Sequence, residues 1–341
     1  MKISITGASG HIGNNLCREL INQKHRVKAL VHTFDKSLKG VDVERVNGNI
    51  LDKKAVNTVI EGADYVFHTA AIISIGVNSK DKIFQTNIEG TRNVIEACLF
   101  HKVKRLVHFS SIHALKSGPS DKLLDESGPL AGIEAFYYSQ SKANAEILLL
   151  DACNRGLNTI ILNPSSVVGP YDFVPSLAGQ MIIKIATGKL PFLIKGGYHW
   201  VDVRDVVSAA INAMGMGQSG ERYLLTSQWI SLLDIAAIIC NEVNRKTPAI
   251  IPDFLAWTGL PFIQLFSKLS GNKALYTKES LNIVSTSPKL VNHQKAVKEL
   301  GFNPRPVEQT FVDSLHWFQT EGNINIRKPL KTTYNDQLYN E

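Results

Sequence analysis

The chain is poor in the features that announce metal, disulfide or nucleic-acid chemistry. Its four cysteines, Cys17, Cys98, Cys153 and Cys240, lie far apart with no CxxC pair, and read as buried reduced thiols of a cytoplasmic protein. The ten histidines are equally dispersed. They form neither an HExxH nor a Cys/His cluster, so no metal site is expected. Lysine and arginine outnumber aspartate and glutamate 37 to 30, yet no block of like charge appears. A nucleic-acid-binding arm is therefore not expected, and the positive excess suits attraction of an anionic cofactor.

Long apolar runs are missing too. The most apolar late stretch, FLAWTGLPFIQLFSKL (254–269), carries Gly259, Pro261 and Gln264 and is short for a membrane span. It reads as a lobe helix or pocket lid, with weak membrane-surface contact as the lesser reading. A signal peptide is not expected, because strand-like residues begin at Lys2 and a glycine turn follows at once. Internal repeats and low-complexity tracts are absent.

What is present is regular alternation. The runs KISIT, RVKALVH, VERVNG, YVFHTAA, RLVHFSS and TIILNPS are separated by helical segments such as 14–24, 91–102 and 140–156. Strand and helix in turn predict an α/β fold with a parallel, doubly wound sheet whose strands are covered on both faces. The regularity loosens after Pro164. Residues 1–165 read as a dinucleotide-binding domain, with returns to the main sheet near 201–230. Residues 166–200 and 231–320 read as a smaller mixed C-terminal substrate lobe, and 325–341 as a polar tail, mobile or used in assembly.

TGASGHIG, at 6–13, follows the first strand and places glycines at 7, 10 and 13. Gly7 can take the tight turn out of the strand. Gly10 keeps the backbone open to a pyrophosphate, and Gly13 permits close helix packing. The helix that starts near Gly10 aims free N–H groups and a positive dipole end at the phosphates, with Ser9, His11 and Ile12 beside them. The GxxGxxG spacing is similar to that of the short-chain dehydrogenase/reductases. That resemblance implies a Tyr-x-x-x-Lys on a later helix and a serine upstream at a strand end.

The chain contains both. In FYYSQSK (136–142), Tyr138 and Lys142 are four apart and share a helix face, whereas Tyr137 has no lysine at that offset. Acid–base work near neutrality requires lowering a tyrosine pKa from ~10 by ~3, roughly 4 kcal/mol. A nearby ammonium and the oxidised nicotinamide ring can supply it. Ser110 and Ser111 end the RLVHF strand, where doubly wound sheets present side chains to ligands, and Ser111 is the better candidate.

Together these residues resemble the extended short-chain dehydrogenase/reductases of the NAD-dependent epimerase/dehydratase family, over Lys2 to about Phe318. The resemblance implies a Rossmann sheet and a triad of Ser111, Tyr138 and Lys142. It also implies that Thr69, Ala70 and Ala71 line the cofactor, that Asn49 and Ile50 flank the adenine, and that Pro164, Ser166 and Val167 pass the nicotinamide. Asn49 stands where the family usually has an acid. Asn87 reads as a tie between neighbouring backbones. Relatives commonly form homodimers through the helices near 91–102 and 138–155.

An NAD enzyme of this fold usually carries an acid at the end of the second strand. Here Val31 stands there, with His32, Lys36 and Lys39 in reach of a 2′-phosphate, which favours NADP(H) over NAD(H). Ile112 and His113 replace the Asp-Glu pair of the family's sugar dehydratases, so dehydration is not expected. LNPSSVVGP resembles the NP-x-x-V-x-GP of dihydroflavonol-4-reductase-like enzymes. The expected reaction is reduction of an aldehyde or ketone, or oxidation of the matching alcohol, in a small, partly apolar substrate near His113, Tyr171 and Tyr198, with Trp257 a further aromatic candidate. The alternatives are an NAD-dependent sugar epimerase or a 3β-hydroxysteroid-dehydrogenase-like enzyme, and, less favoured, a non-catalytic dinucleotide sensor.

Overall fold

The computed structural model describes residues 1–34, 36–73, 79–118, 121–190, 192–252, 254–255, 258 and 278–325. Trp257, most of the 254–269 stretch and the tail beyond 325 lie outside the described residues.

Short apolar runs bounded by turns become buried parallel strands. Lys2–Thr6 (β1) buries four of its five residues, and Thr159–Pro164 (β6) buries all six. With Arg26–Val31 (β2), Glu44–Asn47 (β3), Tyr65–His68 (β4), Arg105–Phe109 (β5) and Arg222–Leu225 (β10) they form a seven-stranded sheet in the order β10-β6-β5-β4-β1-β2-β3. Every pairing in it is parallel. The order reverses direction between β1 and β4, and the crevice outside the strand ends at such a switch is where this fold takes ligands.

Helices cover both faces. His11–Asn22 (α1) and Val203–Asn212 (α7) pack one core with Ile3, Ile5, Phe67, Val107 and Leu162. Lys53–Ile60 (α2), Gly90–Phe100 (α4) and Tyr137–Asn154 (α5) pack the other with Val66, Leu106 and Ile161. The helical stretch expected at 91–102 extends further back. Lys80–Phe84 (α3) runs through one wide turn, Gln85–Glu89, directly into α4. Such π turns are frequent at functional sites, and this one carries Asn87.

The late chain divides between two cores. The RYLL run returns to the main sheet as edge strand β10. VDV does not. After the short strand Phe192–Leu193 (β8), it completes Gly197–Asp202 (β9) in a separate three-stranded sheet, between Ser166–Val168 (β7) and Gln228–Ser231 (β11). The apolar alternation of VDV suits either sheet, and its pairing with β7 decides the matter; α7, directly after it, returns to the main core. A third core joins β9 to Leu177–Ala186 (α6), Leu232–Glu242 (α8) and the helix Val307–Thr320 through Ile182, Trp200, Ile235 and Phe311. Buried Asp202 caps α7 and pairs with Arg204, which also reaches Asp313 at 2.7 Å. Arg305 pairs with Asp205 at 2.7 Å. Among the described residues no helix is long and apolar enough to cross a membrane.

Candidate active site

The glycine loop leaves β1 at the switch point. Gly7 has φ +75°, and a Cβ there would lie 2.5 Å from the Ala70 nitrogen and 2.6 Å from Thr69 Oγ1. Thr69 itself donates to the Thr6 carbonyl at 2.8 Å, so the exit of β4 is tied against the exit of β1. A Cβ on Gly13 would meet the Gly7 carbonyl at 2.2 Å. The third glycine thus lets α1 sit on its own loop, a more specific reason than packing on the sheet. Gly10 is different: its Cβ would meet only the Gly7 oxygen, at 3.3 Å. It is exposed, it caps α1, and among the described residues no side chain bonds the first-turn amides. Open backbone donors at a helix N-terminus fit a pyrophosphate.

Around this loop the structure gathers several of the residues expected to hold a dinucleotide. Ser37, in the short turn Lys36–Leu38, donates to the Ser9 carbonyl at 3.0 Å. Val31 ends β2 buried in the core, and His32 beyond it is exposed, with its Nε2 3.4 Å from Asn49 Nδ2. The Asn49 side chain also accepts from the Leu51 amide at 3.0 Å, which shapes the turn holding Ile50. His11 bonds the Pro170 carbonyl at 2.9 Å, so the first turn of α1 grips the segment that follows β7. Pro164 ends β6, and Ser166 and Val167 open β7.

Tyr138 sits in the first turn of α5, where the helix dipole favours negative charge and no acidic side chain competes. Its neighbour Tyr137 faces elsewhere: it is half exposed, edge-on to Phe84, with Lys80 5.6 Å above its ring. Burial pushes the Tyr138 phenol up to about 12, and a hydrogen bond with the Ser111 side chain opposes that rise. Ser111 is buried after β5, where its Oγ accepts from the His113 amide at 3.2 Å and caps a short turn. One turn along α5, buried Lys142 donates from Nζ to the Phe109 carbonyl at 2.7 Å. Desolvation draws its ammonium down to about 8, while the charge of Glu146 works the other way. Tyr138, Lys142 and Ser111 are therefore brought together at the ends of β5 and α5.

Asn87 exchanges hydrogen bonds with the Ile72 backbone and donates to Ser141 Oγ at 2.9 Å, tying the loop after β4 to α5. His113 is half-buried, and desolvation lowers its ring to about 4. Tyr171 and Tyr198 face the lobe. Tyr171 holds φ +62°, stacks 4.5 Å under Arg18 and packs near Phe173 and Trp317. Tyr198 is edge-on to buried Trp200 at 5.5 Å.

The sequence reading missed the layer behind the triad. Glu146 is fully buried and accepts from Ser110 Oγ, from Asn163 Nδ2 at 2.6 Å and from Arg222 Nε at 2.6 Å. Asn163 also donates to the Ser111 carbonyl at 2.9 Å. One signal was available: an acid in the otherwise apolar AEILLL, one helical turn beyond Lys142 on the same face.

Comparison with known proteins places these features in a family. The profile of the NAD dependent epimerase/dehydratase family matches residues 3–225. "Sterol demethylase protein B" of Methylococcus capsulatus is 30% identical over 95% of this chain and 100% of its own length. A Synechocystis protein provisionally named dihydroflavonol 4-reductase is 29% identical over 95% of this chain and 96% of its own. The crystal structure of a protein designated gox2253 is 30% identical and superposes with a TM-score of 0.82, covering 95% of this chain and 99% of that one. With its doubly wound sheet, glycine loop and Tyr138–Lys142 helix, the chain belongs to the NAD-dependent epimerase/dehydratase family, as an NAD(P)-dependent oxidoreductase of the extended short-chain dehydrogenase/reductase type.

Proposed function

We propose that the protein transfers hydride reversibly between NADP(H) and the carbonyl carbon of a small, partly apolar substrate, with Ser111, Tyr138 and Lys142 as its catalytic residues. The observation that carries this reading is their convergence: the Tyr138 phenol beside the Ser111 side chain, one helical turn from buried Lys142, whose ammonium donates to the end of β5. A bound nicotinamide dinucleotide supplies the hydride, or accepts it in the reverse direction. Tyr138 gives its proton to the forming alkoxide, and Ser111 orients the carbonyl oxygen. Lys142 uses one N–H on Phe109, which leaves donors for the nicotinamide ribose, and its charge draws the phenol down. The positive end of α5 adds to that lowering.

The preference for NADP(H) is supported by buried, uncharged Val31 where an acid would repel a 2′-phosphate, and by exposed His32, Lys36 and Lys39 nearby. His113, Tyr171 and Tyr198 are assigned to the substrate side, and the name of the Methylococcus relative points to a lipid-like ketone or alcohol among the substrates to try. Exposed Phe100 on α4 and Ile147 on α5 support a homodimer through those helices. Free cysteines, three of them buried, support a cytoplasmic protein. Oxidation of NADPH and NADH against a panel of aldehydes, ketones, sterol ketones and sugar nucleotides tests the reading. Carbonyl-dependent oxidation with NADPH favoured is the expected result. Stoichiometric NAD that co-purifies and does not exchange would overturn it in favour of an epimerase.

A further inference from the structure

Behind Tyr138 and Lys142 lies a buried carboxylate that neither contacts the expected cofactor nor is needed for the proton step. Tyr138, Lys142 and Glu146 follow one another at successive turns of α5. The side chain of Glu146 has no exposure, and each of its oxygens is engaged: Ser110 Oγ and Asn163 Nδ2 on Oε1, Arg222 Nε on Oε2. Burying a charge is costly, and the cost is met here by three donors from three different strands or strand ends. Two of them also bear on the backbone that carries Ser111. Ser110 precedes Ser111, and the Asn163 amide that donates to Glu146 also holds the Ser111 carbonyl at 2.9 Å.

We propose that Glu146 is a positioning residue of the active site, which sets a buried negative charge one helical turn from Lys142 and fixes the Ser111 turn through Ser110 and Asn163. This inference rests on the assignment of Tyr138 and Lys142 above. The groups that face Lys142 make the electrostatic half specific. From its own helix come Tyr138 and Glu146. From β4 and β5 come His68 and His108, both buried, with desolvation holding His68 at about 3 and His108 well below its ordinary value. Both histidines are thus neutral at working pH, and Glu146 is the one anion whose charge bears on the ammonium among the described residues. Arg222, on edge strand β10, partly offsets it.

The arrangement makes opposite predictions for two substitutions. Glu146→Gln removes the negative charge while keeping the shape, and the Lys142 titration moves to lower pH by about 1 to 3 units, the scale of one buried neighbouring charge. Arg222→Gln frees the Glu146 charge, and the titration moves to higher pH. Glu146→Asp restores the charge and returns it most of the way to wild type. The measurement is NMR of the full-length protein labelled with 13C at lysine Cε, the Lys142 resonance being assigned by its loss in Lys142→Met.

A merely structural role would lower stability in both variants and leave the titration in place, or move it the same way in both. Either result overturns the proposal. Should Glu146→Gln fail to fold, Arg222→Gln decides alone: an upward move supports the proposal and none overturns it. The readout needs no substrate. Opposed titration shifts in a protein that reduces no carbonyl would sink the proposed function and leave the role of Glu146 standing. Carbonyl reduction with unmoved titrations would do the reverse.

Discussion

Adjacent tyrosines with opposite surroundings show where the chemistry resides. Tyr137 lies half exposed against Phe84 beneath Lys80, whereas Tyr138 meets Ser111 and lies one turn before buried Lys142. The i to i+4 offset already separated the two in sequence, since one helical turn is a local property. Tyr138→Phe removes the proton donor and little else. Turnover should fall by at least ~10²-fold, the low end for a lost general acid, while dinucleotide affinity stays within about threefold. Steady-state rates and fluorescence titration with NADPH check both halves, and turnover within tenfold of wild type would remove Tyr138 from the role. Glu146 needed more than an offset. Its partners Asn163 and Arg222 stand 17 and 76 residues away, and no local rule joins them.

At the scale of the element, the loop between β1 and α1 shows three glycines retained for three reasons. Gly7 needs positive φ and lies against Ala70, and Gly13 lies against the Gly7 carbonyl. Both clash with backbone, which cannot move aside. Gly13→Ala should therefore lower folding stability by about 1–3 kcal/mol, as overpacking does elsewhere. Gly10→Ala should behave differently, because its φ of −75° suits alanine and its one close neighbour is 3.3 Å away. Its folding free energy should stay within about 1 kcal/mol of wild type, while NADPH binding should weaken at least ~10-fold if a methyl crowds the open helix N-terminus that seats the pyrophosphate. Urea melts and binding titrations on both variants separate the cases. Undiminished NADPH affinity in Gly10→Ala would mean that the loop does not seat the pyrophosphate. The wide turn at Gln85–Glu89 was invisible in sequence, since no local composition in QTNIE marks where a helix widens. It arises where Asn87 must reach both the Ile72 backbone and Ser141.

Burial holds four histidines of the fold neutral, His68, His108, His113 and His199. His68 and His108 lie under the active site, half-buried His113 beside it, and His199 in the lobe, where it bonds Thr226 and the Lys289 carbonyl. Desolvation holds His68 at about 3 and His113 and His199 at about 4, against ~6.5 for an unfolded chain. Between these values the unfolded state binds more protons. Stability is then fully present above ~pH 6.5 and is lost as the pH falls toward 4, with a slope of about 1.4 kcal/mol per pH unit for each such group. Urea midpoints measured from pH 7 to 4.5 should fall steeply, and His199→Gln should flatten the curve by roughly one group's share. An unchanged slope would show that His199 is already protonated in the fold. The ion pairs Arg204–Asp313 and Arg305–Asp205 link α7 with the helix Val307–Thr320 and the segment before it, across about a hundred residues of sequence.

The sequence alone determined what depends on near neighbours. Strand and helix alternation, the GxxGxxG turn and the Tyr138–Lys142 pair all follow from backbone sterics and the helical period, which act over a few residues. Only the tertiary structure decided what depends on distant segments meeting. It assigned VDV to a second sheet by pairing β9 with β7, and set Glu146 between β5, β6 and β10. Burial of a polar side chain is a property of the surrounding packing, so neither the neutrality of the histidines nor the satisfaction of Glu146 could be read from the residues beside them.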